Sequence, residues 1–361
     1  MEKIVTVVVP VYNMENYLSR CLDSLIVSEE LLNKIEVLVI NDGSKDNSIN
    51  IMKDYEKRYP STFRVIDKEN GGHGSAWNVG LKESQGKYIS FLDSDDWYDK
   101  DNFEDLLLKI DDADAYMTKV IIRHNIHSKR DYVFNSDYYL DLTDGQLYTP
   151  DNLEFNDRIH IFYFQNMIYK TSILREANFH FMEKTSYDDT ILDIVGMLTI
   201  KDFVFFDKIL YNYFHEREGQ SIYEPVNDKK VSQLYNVFLN CFDYYNNYAT
   251  NKNINNNRRV LIEKFALSKF NSLLKESICA LPYNSAKKYL SKIKSDFYKG
   301  TLYELIKPQL DSMYEGPILF IWLKYGLKHV YYRKAVKLVK TPFGKTLQRI
   351  KHCEFSKMNK E

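Results

Sequence analysis

Cysteine is scarce in this chain: Cys21, Cys241, Cys279 and Cys353 are the 4 among 361 residues, with no Cys-x-x-Cys pair. That scatter speaks against a disulfide framework or a thiolate zinc site and predicts the reduced thiols of a cytosolic protein. Long apolar runs are lacking as well. The longest, residues 316–323, stops at Lys324, well short of the ~18 residues that span a bilayer. Met1-Glu2-Lys3 leads straight into a β-branched stretch without a small-residue cleavage site, so no secretory leader is expected. Net charge is only −1, so the whole molecule lacks the basic surface of a nucleic-acid binder. No segment repeats itself, which excludes a solenoid.

The chain that remains has the composition of a folded protein, 44% apolar and 27% charged, and its length suggests two domains. Charge is unevenly placed. Residues 316–361 hold 11 of the 49 Lys+Arg but 2 of the 50 Asp+Glu, leaving 38 against 48 in the rest. A basic tail on an acidic body points to an acidic partner for the tail.

Apolar patterning sets the fold class. Ile4–Val9 and Ile35–Ile40 are nearly continuous apolar runs, as in strands buried on both faces. Between them Met14, Tyr17, Leu18, Cys21, Leu22 and Leu25 follow the apolar stripe of a helix. A helix with Ile49, Met52 and Tyr55 inward, a strand at 63–66, a helix from Ala76 to Ser84 and a strand at 88–92 continue the alternation. Alternating β and α predicts an α/β fold, a mostly parallel sheet flanked by helices. Further strands are expected at 115–122, 162–169 and 203–206, a helix from Thr190, and a hairpin or lid within 124–160. Near Pro225 the sequence turns rich in Lys, Asn, Tyr and Leu at helical spacing. The expected domains are therefore 1–225, α/β, and 226–361, an α-helical appendage.

Ligands of such sheets bind outside the carboxyl ends of the strands. The chain's unusual residues fall there: Pro10-Val11-Tyr12-Asn13, Asn41-Asp42-Gly43-Ser44, Asn70-Gly71-Gly72-His73 and Asp93-Ser94-Asp95-Asp96. Any one of these loops could be an ordinary turn or helix cap; four on one rim point to a nucleotide site. Asp93 and Asp95 alternate with Ser94, so both carboxylates should point the same way. Paired carboxylates repel unless a cation sits between them, and Mg²⁺ or Mn²⁺ with phosphate oxygens suits that pair.

Taken together, Val-Val-Pro-Val-Tyr-Asn, Ile-Asn-Asp-Gly-Ser, Asn-Gly-Gly-His-Gly-Ser-Ala-Trp-Asn and Phe-Leu-Asp-Ser-Asp-Asp resemble a family-2 glycosyltransferase over about the first 225 residues. The resemblance implies a GT-A fold, a nucleotide-diphosphate sugar donor, a divalent metal and inversion at the anomeric carbon. It implies that Pro10 and Tyr12, with Asn13 beside them, line the nucleobase pocket and that Asp42 accepts from a base N–H. Asn70 follows the nucleoside, Asp93 holds ribose or helps place the metal beside Ser94, and Asp95 binds metal. Asp96 orients donor sugar or acceptor. Asp188-Asp189 stands where the family has Glu-Asp opening a helix, which makes Asp189 the general base. His215, Arg217 and Ser221 fall in a segment that resembles the family's diphosphate-closing stretch; a surface salt bridge with Glu216 or Glu218 is the plainer account of the first two. One departure is Trp77, where the family often has Arg; His73 is a candidate replacement.

The expected activity is transfer of a hexose or N-acetylhexosamine from a UDP-sugar to a glycan or lipid-linked acceptor, with Mn²⁺ or Mg²⁺. A sugar nucleotidyltransferase is the rival enzyme, though it would carry a basic Gly-rich loop after the first strand. A non-catalytic glycan-binding protein on the same fold is the rival outside enzymes. Lys324, Lys328, Arg333 and Lys337 among aromatic and aliphatic residues suggest peripheral contact with an anionic membrane, and a cytoplasmic location is expected.

Overall fold

The structure is a computed structural model, describing residues 2–124, 130–134, 142–152, 162–217, 219–220, 227–251 and 255–262, with scattered positions up to 292. Four strands form its parallel half: β1 (Lys3–Val11), β2 (Ile35–Asp42), β3 (Phe63–Lys68) and β4 (Gly86–Phe91). They lie in the order β3-β2-β1-β4, with Val7 opposite Val37 on one side and Ser90 on the other. Val5, Val7, Val8 and Val9 are wholly buried, as a central strand covered on both faces requires. The covering helices include α1 (Leu18–Asp23), α3 (Ser48–Arg58) and α4 (His73–Glu83), with the short α2 (Glu29–Leu32) between β1 and β2. Each returns the chain to the next parallel strand, so the carboxyl ends of β1 to β4 share one rim.

Beyond β4 the sheet becomes mixed. β9 (Met167–Lys170) is antiparallel to both β4 and β6 (Ala115–His124), and β10 (Phe203–His215) runs parallel to β6. Two-residue strands β5 (Trp97–Tyr98), β7 (Tyr132–Val133) and β8 (Leu147–Tyr148) add to β10 and β6. Helices α5 (Lys100–Lys109), α6 (Thr171–Glu176), α7 (Asp189–Thr199) and α8 (Asp228–Asn251) complete the described elements.

Two expected strands differ. The run 162–169 is not one strand: a 3-10 turn at Phe164–Asn166 precedes β9. Buried Asn166 makes that turn, its Oδ1 accepting the Tyr163 N–H at 2.8 Å. The short strand at 203–206 continues to His215, and register shifts between Phe205 and Tyr211 explain why alternation hid it. Within 124–160, β7 pairs with β6 and β8 with β10; the expected lid lies outside the described residues.

Packing divides the chain into Met1–Glu224 with Asn236–Ile262, and Pro225–Tyr235 with Glu263–Glu361. The stretch 236–262, assigned to the appendage on sequence grounds, thus belongs with the α/β unit, and buried Val237, Phe238 and Cys241 supply its apolar contacts. Among the described residues no helix is long and apolar enough to cross a membrane. The basic tail lies outside them.

Candidate active site

The rim loops are joined to one another by short polar contacts. Asn13, in the left-handed region at φ 54°, accepts the Lys45 N–H at 2.8 Å, and its own N–H donates to Ser44 Oγ at 3.1 Å. Asn70 Nδ2 donates to the Asp42 carbonyl at 2.8 Å. Buried Asp42 accepts the Gly71 and Gly72 N–H groups, each at 2.8 Å, and Lys68 Nζ at 2.6 Å. Two successive amides on one carboxylate fix the loop that enters α4. Gly72 allows that entry at φ 88°. Gly74 allows a closer approach: a Cβ there would stand 2.3 Å from the Met182 carbonyl oxygen and 2.7 Å from Asp188 Oδ2.

A cavity of about 480 Å³ opens within this rim. Pro10, Tyr12, Asp42, Asn70, His73, Asp93, Ser94, Asp95, Asp188, Asp189 and Arg217 are among its lining residues. Pro10 and Arg217, 207 positions apart in sequence, thus meet at one cavity. Tyr12 is 43% exposed, an aromatic ring left free to stack against a ligand.

Asp93, Asp95 and Asp96 bring carboxylate oxygens within 4.8 Å of one another, but their surroundings differ. Asp96 is fully buried, with Tyr211 Oη donating to Oδ2 at 2.6 Å and the Phe214 N–H to Oδ1 at 2.7 Å. Burial, then the charges of Asp95 and Asp93, hold its pKa well above the ordinary value. Asp96 thus has both carboxylate oxygens engaged within the protein and is not among the cavity's lining residues. Asp95 ion-pairs with Arg217; burial and Asp93 raise its pKa against the pull of that guanidinium. Asp93 Oδ1 lies 3.0 Å from His73 Nε2, whose ring reaches Asp188 Oδ2 through Nδ1 at 3.1 Å. Burial disfavours the imidazolium, yet the two carboxylates outweigh it and raise the His73 pKa well above 6.5.

A hard, oxygen-only donor set that already attracts an arginine and an imidazole fits a divalent cation. Asp93 and Asp95 are the residues able to hold it.

Asp188 and Asp189 open α7 next to Tyr187, whose φ is 66°. A bulky non-glycine residue there is strained, and such strain clusters at functional sites. Asp188 is buried and turned to His73; Asp189 lines the cavity half-buried. His215 packs against Tyr213 and His124, with ring centroids 4.3 and 5.9 Å away, and is not among the cavity's lining residues. Ser221 lies outside the described residues. Trp77 is wholly buried among His73, Phe91, Phe164 and Phe181, so no cation could replace it there without being desolvated.

Two contributors had no sequence signal. Tyr211, on β10, accepts the Asp93 N–H at 3.2 Å while donating to Asp96. Arg20, on α1, donates to the Asp95 carbonyl at 2.8 Å and stacks on Trp97 at 3.8 Å.

A cavity, the Asp93 and Asp95 carboxylates and the Asp188-Asp189 pair thus meet at the carboxyl rim of the sheet. Residues 6–177 match glycosyl transferase family 2. The chain is 26% identical to the uncharacterized glycosyltransferase EpsJ of Bacillus subtilis, over 81% of this chain and 83% of that one. Glycosyltransferase GlyA of Streptococcus pneumoniae is 45% identical over 106 residues, 29% of this chain and 15% of its own length. Among solved structures, residues 1–349 of Staphylococcus aureus TarS in complex with UDP-GlcNAc superpose with a TM-score of 0.69 at 19% identity, covering 93% of this chain and 91% of that one. The fold is GT-A, and the relatives are bacterial enzymes of cell-wall and polysaccharide type: TarS of S. aureus, a poly(ribitol-phosphate) beta-N-acetylglucosaminyltransferase, is 25% identical over 60% of this chain and 36% of that one.

Proposed function

We propose that this glycosyltransferase moves a hexose or N-acetylhexosamine from a UDP-sugar to a glycan or lipid-linked acceptor with inversion. The carrying observation is the cavity itself, which Asp93, Asp95, Asp188 and Asp189 all line. The likeness to TarS, solved with UDP-GlcNAc and with UDP, supports uracil as the base and N-acetylglucosamine as the first sugar to try.

In this reading the base stacks on Tyr12 beside Pro10, with Asn70 along the nucleoside. Asp42 accepts a base N–H with lone pairs left over from the loop amides. Asp95 and Asp93 would hold Mn²⁺ or Mg²⁺, which when bound would supply Lewis-acid stabilisation to the leaving diphosphate. Arg217 shifts from Asp95 to the diphosphate, for which its planar fork is suited. Asp189 takes the proton of the acceptor hydroxyl as that oxygen attacks the anomeric carbon. The bond from that carbon to the diphosphate breaks on the opposite face, and UDP leaves with the electron pair. His73 keeps Asp188 and Asp93 at fixed separation while charge moves between them.

The match of residues 6–177 to glycosyl transferase family 2 disfavours the nucleotidyltransferase reading. A panel of radiolabelled nucleotide sugars, incubated with the protein and Mn²⁺, tests the rest. Slow hydrolysis of a UDP-sugar above all others is expected. Preference for a GDP- or dTDP-sugar would overturn the uracil assignment, and no turnover with any donor would favour a non-catalytic binding protein.

A further inference from the structure

A second, larger cavity of about 1060 Å³ lies elsewhere in the α/β unit, lined by α6, the end of α7 and one arc of α8. On α8 that arc is Asn240, Asp243, Tyr244 and Asn247, spaced i, i+3, i+4 and i+7. A helix arc facing its own protein ordinarily carries apolar residues that close the gap. Here it carries two amides, a carboxylate and a phenol, and the gap stays open.

The groups around it are held in place. The Tyr244 hydroxyl accepts the His180 N–H at 3.3 Å and its ring packs near Phe179. Buried Arg258 donates to Asp151 at 2.8 Å and to the Leu198 carbonyl at 3.3 Å. Asn240 Oδ1 is buried and, among the described residues, has no hydrogen-bond partner, a cost that a ligand donor would relieve. On the opposite wall Ser172 and Glu176 stand one turn apart on α6.

We propose that this cavity is a second saccharide site, binding a stretch of neutral glycan away from the reacting end. Mixed donors and acceptors on planar side chains match vicinal hydroxyls, each of which both donates and accepts. Four lining carboxylates against three cations disfavour a polyanion, and the scarcity of apolar side chains disfavours a lipid chain. The volume exceeds the ~300–1,000 Å³ usual for one small ligand, which suits several sugar units. The choice of saccharide rests on the glycosyltransferase reading; the polar cavity does not. Such a site would retain a growing chain between transfers by raising its effective concentration at the catalytic rim.

Calorimetric titration of the full chain with short and long uncharged oligosaccharides, in saturating UDP and Mg²⁺, tests this. UDP occupies the nucleotide part of the catalytic cavity, so heat of binding that grows with glycan length and that the variants below weaken is assigned to the second site rather than to the acceptor side of that cavity. Asp243→Ala with Asn247→Ala, both exposed positions, should weaken that binding by roughly tenfold and leave UDP affinity unchanged. Ser172→Arg, which intrudes from α6, should do the same. Absence of binding by every neutral oligosaccharide overturns the proposal, as does binding that both sets of variants leave intact. Tighter binding of an acidic polymer than of any neutral one overturns the choice of ligand. Failure of the glycosyltransferase reading shows separately, as absence of donor turnover.

Discussion

Asp93 and Asp188, 95 positions apart, share one imidazole: His73 reaches the first at 3.0 Å and the second at 3.1 Å. The carboxylate assigned to the cation and the acidic pair assigned to the acceptor are therefore mechanically and electrostatically linked. His73→Ala leaves two anions facing one another. A fall in kcat of about 10–100-fold is expected, the range for groups that orient others. Part of it should return in His73→Gln, which can still donate to one carboxylate. Wild-type kcat in His73→Ala would remove the link from the mechanism.

The same contact gives a pH dependence. The folded-state pKa of His73 lies well above 6.5, so the native state holds its proton where the unfolded chain has released it. Its contribution to stability is fully present below about pH 6.5 and is lost as pH rises through the folded value. Thermal unfolding followed in chelator should show a melting temperature that falls with rising pH above that point, and a shallower fall in His73→Gln. Equal slopes would assign the dependence to other groups.

Asp95 and Asp189 should separate binding from chemistry. Asp95→Asn is expected to abolish the Mn²⁺-dependent part of UDP binding, measured calorimetrically with and without the ion. Asp189→Asn should bind UDP as before while turnover drops by roughly 100- to 10,000-fold. Full activity in Asp189→Asn would transfer the base role to another group.

Trp77 stands where the resemblance to family-2 glycosyltransferases leads to an expectation of arginine. Because the side chain is wholly buried against three phenylalanines, Trp77→Arg should destabilise the fold rather than restore a phosphate contact. A loss of at least about 3–5 kcal/mol, the cost of emptying such a site, is expected in chemical denaturation. Tighter UDP binding with unchanged stability would contradict this.

Gly74→Ala probes the close approach of α4 to the acceptor wall. The added Cβ would press on the Met182 carbonyl and on Asp188. Backbone cannot yield there as a side-chain end could, so turnover should fall with little change in UDP affinity. An unaltered kcat would mean that the 181–188 segment moves freely against α4.

The sequence by itself determined the α/β alternation of the first half, the four rim loops and the acidic turn. Each is a local property: buried parallel strands demand continuous apolar runs, and tight polar turns demand Gly, Asn and Asp. It also carried the family resemblance, because order and spacing of those loops survive in the chain as written. Only the tertiary structure decided which acids meet the cavity. Asp96 reads in sequence like Asp95, yet Tyr211 and the Phe214 amide, more than a hundred residues downstream, take both its oxygens. Likewise Arg20 and Tyr211 look like ordinary helix and strand residues until β10 and α1 close around the turn. The polar arc of α8, Asn240, Asp243, Tyr244 and Asn247, lines a cavity that no sequence pattern announced. Periodicity records how often a side chain faces inward; what it meets there depends on distant segments, which only folding brings together.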